Sequence, residues 1–330
     1  MAAKVPFTSR LRLLIPAPAS AGSCPFPYHQ VSLMRRYCFG LVLVFLTNCM
    51  APSQLVSAQE SVGKLDTTAA EKLGWKLGVQ TYSFNRFSFF EAIDKAASVG
   101  LKYAEAYPGQ TISADIDGKM GPGMTEEQMR AVKEKLAAAD VRLTAFGVVG
   151  LSADEAASRP VFEWCKELGI GVINTEVRED AFDTIEKLSK EYGIKIGLHN
   201  HPDPSYYWNP DTVLKATEGR GDWIGACADT GHWLRSGLDP VECLRKLEGR
   251  LVSFHFKDLN RAGKGAHDVP WGTGVANVPA LLAEMKRQGF QGPISIEYEH
   301  NWLESLPEIA QCVQNFHRLT AQTVEAAKSN

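Results

Sequence analysis

An acid and an imidazole stand three residues apart in Ala228-Asp229-Thr230-Gly231-His232-Trp233, directly after the small apolar run Ile224-Gly225-Ala226-Cys227. A buried strand ending in such a pair can present it to a cation or to a reacting carbonyl. Two later stretches have the same build: Leu251-Val252-Ser253-Phe254-His255-Phe256-Lys257-Asp258 and Pro293-Ile294-Ser295-Ile296-Glu297-Tyr298-Glu299-His300. Glu105, Glu176 and His199-Asn200-His201 close earlier strand-like runs, and five of the eight histidines fall at such ends. Side chains alternate along a strand, so His199 and His201 share a side, as do His255 and Lys257, and Glu297 and Glu299. Carboxylates and imidazoles converging from neighbouring strands suit one divalent metal ion of the Mn, Zn, Co or Mg kind, and mixed nitrogen and oxygen ligands do not choose among these. A lone strand-end acid is commonly a satisfied polar group, and Asp229 by itself would serve as a turn cap. So many ionisable ends at one buried mouth would be costly without a counter-ion.

Positioning these ends requires a repeating scaffold, and the chain supplies one. Strand-like runs at 76–83, 102–107, 142–149, 171–177, 195–198, 224–228, 251–256 and 294–298 alternate with helical patterns. Thr125-Glu126-Glu127-Gln128 and Ser152-Ala153-Asp154-Glu155 have the form of capping boxes, and Asn209-Pro210 and Asp239-Pro240 mark helix starts. Pro160 is expected to kink or restart its helix. The strands are short, apolar and not strictly alternating, as in a parallel sheet covered on both faces. Eight such units predict an α/β fold of the (β/α)8 TIM barrel kind, with the site at the C-terminal strand ends. Gly78-Val79-Gln80-Thr81 after the first strand lacks the glycine spacing of a dinucleotide loop.

The 330 residues are 45% hydrophobic with net charge −3, enough for a full core and without the basic surface a nucleic-acid partner requires. Arg35-Arg36, the short apolar run through Leu46 and the small residues Ser57-Ala58 have the parts of a secretory signal peptide. We therefore divide the chain into a leader at 1–58, a linker at 59–75 and one barrel domain at 76–330. Translation is expected to start at Met34 and the exported protein, periplasmic or secreted and without a membrane span, near Gln59. Cys165, Cys227, Cys243 and Cys312 remain after the leader, widely spaced among apolar neighbours, and are expected to behave as small buried hydrophobes.

At Ala228-Asp229-Thr230-Gly231-His232, Phe254-His255-Phe256-Lys257-Asp258, Trp271-Gly272-Thr273-Gly274 and Ile296-Glu297-Tyr298-Glu299 the chain resembles the xylose isomerase-like, sugar phosphate isomerase/epimerase superfamily, which also includes endonuclease IV. The resemblance implies Asp229, His255 and Glu297 as metal ligands. The epimerases' further ligand, a glutamate on strand five, is absent, and either His201 or Glu176 is expected to take its place. Glu176, Glu297 and Lys257 are the expected catalytic groups. Glu105, His199, His232, Trp208, Trp233 and Trp271 are expected to bind substrate, the tryptophans by stacking on a sugar ring. The implied activity is a metal-dependent sugar isomerase or epimerase working through an enediolate, with β-elimination from a keto-sugar as the alternative. An endonuclease IV-like nuclease and a non-catalytic sugar-binding barrel are the readings from other classes. The expected partner is a small sugar or keto-sugar, and the chain could assemble as a homo-oligomer.

Overall fold

The computed structural model describes residues 65–326; the expected signal peptide lies outside them. The strands are β1 Trp75–Gln80, β2 Tyr103–Ala106, β3 Arg142–Phe146, β4 Val172–Thr175, β5 Lys195–His199, β6 Ile224–Asp229, β7 Leu251–Phe256, β8 Asp258–Leu259, β9 Asp268–Val269 and β10 Gly292–Ile296. Eight of them close a parallel barrel in the order β1-β10-β7-β6-β5-β4-β3-β2. The expected eight-stranded barrel is therefore the fold. β8 and β9 form a separate antiparallel pair above β7, which the sequence did not suggest because each has only two residues.

The helices in chain order are α1 Thr68–Lys72, α2 Phe89–Ser98, α3 Glu126–Ala139, α4 Glu155–Glu167, α5 Phe182–Tyr192, α6 Pro210–Ala216, α7 Thr230–Arg235, α8 Pro240–Lys246, α9 Val278–Arg287 and α10 Leu306–Ala326. Helix α1 falls in the stretch expected to be a polar linker, and Trp75 opens β1. The Thr125 capping box is present in full at α3. At α4 the cap is Asp154, which accepts from Ala156 N, rather than Ser152. The helix is continuous from Glu155 to Glu167 through Pro160 and does not restart there. Helices α6 and α8 begin as read, with Asn209 and Asp239 as caps and proline in the first turn.

The apolar core lies chiefly between the barrel's outer face and the helices. Inside the barrel, several positions that usually hold branched aliphatics are instead Glu105, Asn174, Ser253, His255 and Ser295, all buried. Ser295 lies opposite His255 in the β10–β7 register, and Asp229 lies opposite His255 in the β6–β7 register. Among the described residues no helix is long and apolar enough to cross a membrane.

Candidate active site

Asp229 ends β6 and caps α7. Its Oδ1 accepts from His232 N at 2.7 Å, which satisfies one orphan donor of the first turn. The cap leaves Oδ2 to face inward, 2.5 Å from Lys257 Nζ, 3.5 Å from His232 Nε2 and 3.6 Å from His199 Nε2. Asn200 braces the backbone beneath it, donating to Asp229 O at 3.0 Å and accepting from Asp229 N at 2.8 Å. Capping and site duty are thus compatible in one carboxylate.

His199, Asp229, His255 and Glu297 each place one donor atom within 4.8 Å of the others'. All four are buried. Both ring nitrogens of His199 and Nδ1 of His255 are buried without a hydrogen-bond partner. Unpartnered buried imidazoles beside two carboxylates are the donor chemistry of a divalent-cation site, so these residues fit such an ion. The strand-five member of this group is His199, expected above to bind substrate, and neither His201 nor Glu176. Those two residues form a second ligand-distance group with His199 at the edge of the first. His201 is half exposed, and its Nδ1 lies 2.6 Å from Glu176 Oε1. Alternation alone could not separate His199 from His201; His199 closes the ladder of β5, whereas His201 stands past its end.

Lys257 is wholly buried and its ammonium bridges Asp229 and Glu297, with Glu299 Oε2 at 3.8 Å. Burial pulls its pKa down, but the carboxylates of Asp229, Glu297 and Glu299 outweigh that and hold it above the ordinary lysine value. The same charges act in reverse on the acids. Burial would raise Asp229 and Glu297, yet the neighbouring cationic groups hold both well below the usual carboxylate range. Burial keeps the His232 imidazole well below its ordinary pKa.

Two of the sequence motifs are parts of one construction. Thr230 Oγ1 donates to Lys257 O at 2.7 Å and accepts from Lys257 N at 2.8 Å. A Cβ on Gly231 would stand 2.7 Å from Lys257 Cβ and 2.8 Å from its Cδ; only glycine leaves room for the lysine stem. Asp258 does not pair with Lys257. Its carboxylate gathers the backbone N–H groups of Gly272, Gly274 and Ala276 at 2.8–2.9 Å.

The remaining expected site residues divide. Glu105 lies within the barrel below the cluster and not at its mouth, bonded to His255 Nε2 at 2.9 Å. His232 adjoins Asp229 and Arg235. Trp208 is partly exposed in the loop after β5. The ring faces of Trp233 and Trp271 are covered, each residue being only 1% exposed. Trp271 packs on Phe256 and Phe316, with ring centroids 4.5 and 6.1 Å away, because the glycine turn folds back over α10. Neither offers a face for a sugar in this conformation. Arg235 was not expected. It donates to Glu299 at 2.7 Å and Asp268 at 2.9 Å and lies 3.0 Å from His232 Nδ1. Its place three residues after His232 on one helix was the signal available. Asp268, buried beside it, has its pKa pushed up by burial to about 7.

A family model described as xylose isomerase-like TIM barrel matches residues 93–318. An uncharacterized protein of Parabacteroides distasonis ATCC 8503 has a similar structure at 31% identity and TM-score 0.60, over 74% of this chain and 99% of that one. The inosose dehydratase of Mesomycoplasma hyopneumoniae is 25% identical over 133 residues, which are 35% of this chain and 44% of that enzyme's length. A D-psicose 3-epimerase from Clostridium cellulolyticum H10, solved with D-tagatose, shares the fold at 13% identity and TM-score 0.55, over 74% of this chain and 99% of that one.

Proposed function

This chain belongs to the xylose isomerase-like TIM barrel family, and on that premise we propose that it is a divalent-metal-dependent enzyme that removes the proton beside the carbonyl of a keto-sugar and expels a neighbouring hydroxyl as water. The observation that carries the reading is the buried group of His199, Asp229, His255 and Glu297, with imidazole nitrogens unpartnered and the Lys257 ammonium against it. Those four residues would hold the cation. Bound there, a divalent ion polarises a carbonyl and acidifies the adjacent C–H.

The chain's own groups then have distinct tasks. Lys257 donates to the carbonyl oxygen as negative charge develops on it. His201, with Nδ1 turned to Glu176, presents Nε2 to the mouth as a base oriented by a carboxylate. It takes the proton from the carbon beside the carbonyl, and that electron pair becomes a C=C bond as the C–O bond of the β-hydroxyl breaks. The imidazolium returns its proton to the departing oxygen, which leaves as water. Epimerisation would need a second base on the opposite face, and the position of the epimerases' strand-five glutamate holds His199 here. That replacement, together with a relative named inosose dehydratase, favours elimination over the isomerase or epimerase outcome.

The test is incubation of Mn2+-loaded protein with inososes and keto-sugars in D2O. Water loss with an enone absorbance supports the reading. Deuterium entry with an epimer as product would replace it with epimerisation, and absence of both exchange and stoichiometric metal would reduce the barrel to a binding protein. Asp229→Asn should abolish exchange; full exchange in that variant would remove Asp229 from the mechanism.

A further inference from the structure

We infer that Glu105 is a positioning residue. It fixes the His255 ring so that Nδ1, and not Nε2, carries the lone pair offered to the metal cluster. The inference rests on the metal-site reading above and deepens it.

Glu105 is 0% exposed and belongs to neither ligand-distance group. A buried carboxylate is expensive unless its oxygens are satisfied, and three donors satisfy them. Oε1 accepts from His255 Nε2 at 2.9 Å and from Asn174 Nδ2 at 2.8 Å, and Oε2 accepts from Ser295 Oγ at 2.7 Å. Asn174 is held in turn, its Oδ1 accepting from Ser253 Oγ at 2.7 Å. Space for this net comes from Gly197, where a Cβ would stand 2.9 Å from Cys227 Cβ and 3.0 Å from Ser253 Oγ.

A neutral imidazole has one N–H, and the hydrogen bond made by one nitrogen decides which it is. An acceptor-only carboxylate at Nε2 places the proton there. Nδ1, 3.0 Å from Glu297 Oε2 and without a hydrogen bond of its own, is then the nitrogen free to give its lone pair to a cation, which would displace any proton held there. Four buried polar side chains in the barrel interior, Glu105, Asn174, Ser253 and Ser295, are otherwise unexplained. As a unit they hold one ring in one tautomer and one orientation, the arrangement that raises the basicity of a ligating histidine.

Two readouts test this on the intact protein. In metal-free protein carrying 15N-histidine, titrated to a pH at which His255 has lost one proton, the wild type should keep the remaining proton on Nε2, and Glu105→Gln should give a mixture of tautomers. By calorimetry the Mn2+ dissociation constant should rise about 10- to 100-fold in the variant. A folded Glu105→Gln protein with unchanged tautomer and unchanged Mn2+ affinity would overturn the inference. Should that variant fail to fold, Ser295→Ala removes one donor and keeps the acid. It should weaken Mn2+ binding in the same direction by a smaller factor, and unchanged affinity there would also overturn it. If the wild type binds no Mn2+, the metal reading fails, and the tautomer measurement still decides what Glu105 does.

Discussion

Replacing Lys257 by methionine keeps most of the side-chain volume and removes the charge. In the wild type that ammonium bridges Asp229 and Glu297 and is wholly buried. Without it two buried carboxylates face each other with only the neighbouring imidazoles to offset them. Removing one partner of a buried pair costs about 3–5 kcal/mol. At about 2–4 °C per kcal/mol for a domain of this size, melting in chelator should fall by roughly 6–20 °C. Mn2+ should then recover more stability in Lys257→Met than in the wild type, because the cation supplies the missing positive charge where no ammonium competes. The assay is a pair of thermal melts, with chelator and with excess Mn2+, on both proteins. A variant that melts in chelator within about 2 °C of the wild type, well under the shift expected, would refute the assignment of Lys257 as the internal counter-ion. So would an Mn2+ stabilisation no larger than the wild type's.

Asp258→Ala should leave the N–H groups of Gly272, Gly274 and Ala276 without their shared acceptor and cost about 3 kcal/mol or more, read by urea unfolding; Trp271 in the same turn should report the loosening by fluorescence. Cys165, Cys227, Cys243 and Cys312 are buried free thiols, and burial pushes Cys243 up to about 12. Native protein at pH 8 should therefore leave all four unalkylated by iodoacetamide while unfolded protein reacts fully, as peptide mass analysis would show. N-terminal sequencing of protein exported from its host should begin near Gln59; a mature chain retaining Met1 would dismiss the proposed leader.

The barrel was legible because each of its eight strands is a short, largely apolar run and most of the helices between them carry a cap or a stripe. Asp229, His255 and Glu297 could be read as a set because their motifs repeat one pattern at successive strand ends. Depth along the barrel axis could not be read. Glu105 and Glu176 look alike as strand-end acids, yet the stagger of the strands buries Glu105 inside the barrel, and β2 shifts register against β3 between Ala104 and Glu105. The choice of His199 over His201 was hidden for the same reason, since both lie on one side of β5 and only the end of the ladder divides them. Trp271 misled because a glycine turn reads as an open loop, whereas Asp258 pulls this one onto the core.

The polar net inside the barrel also sets the order in which the molecule can be completed. Glu105 meets His255 across 150 residues of chain and Ser295 across 190. Contacts so distant in sequence form after local ones, since a long loop must close before they stabilise anything. Half of the barrel, however well its helices form, has the acid without the imidazole or the imidazole without the acid. The last strand to arrive, β10, carries Ser295 and leads directly into Glu297. A nascent or clipped chain lacking it is without one of the four residues that would hold the proposed cation, so metal affinity would report ring closure as directly as any spectroscopic probe of folding.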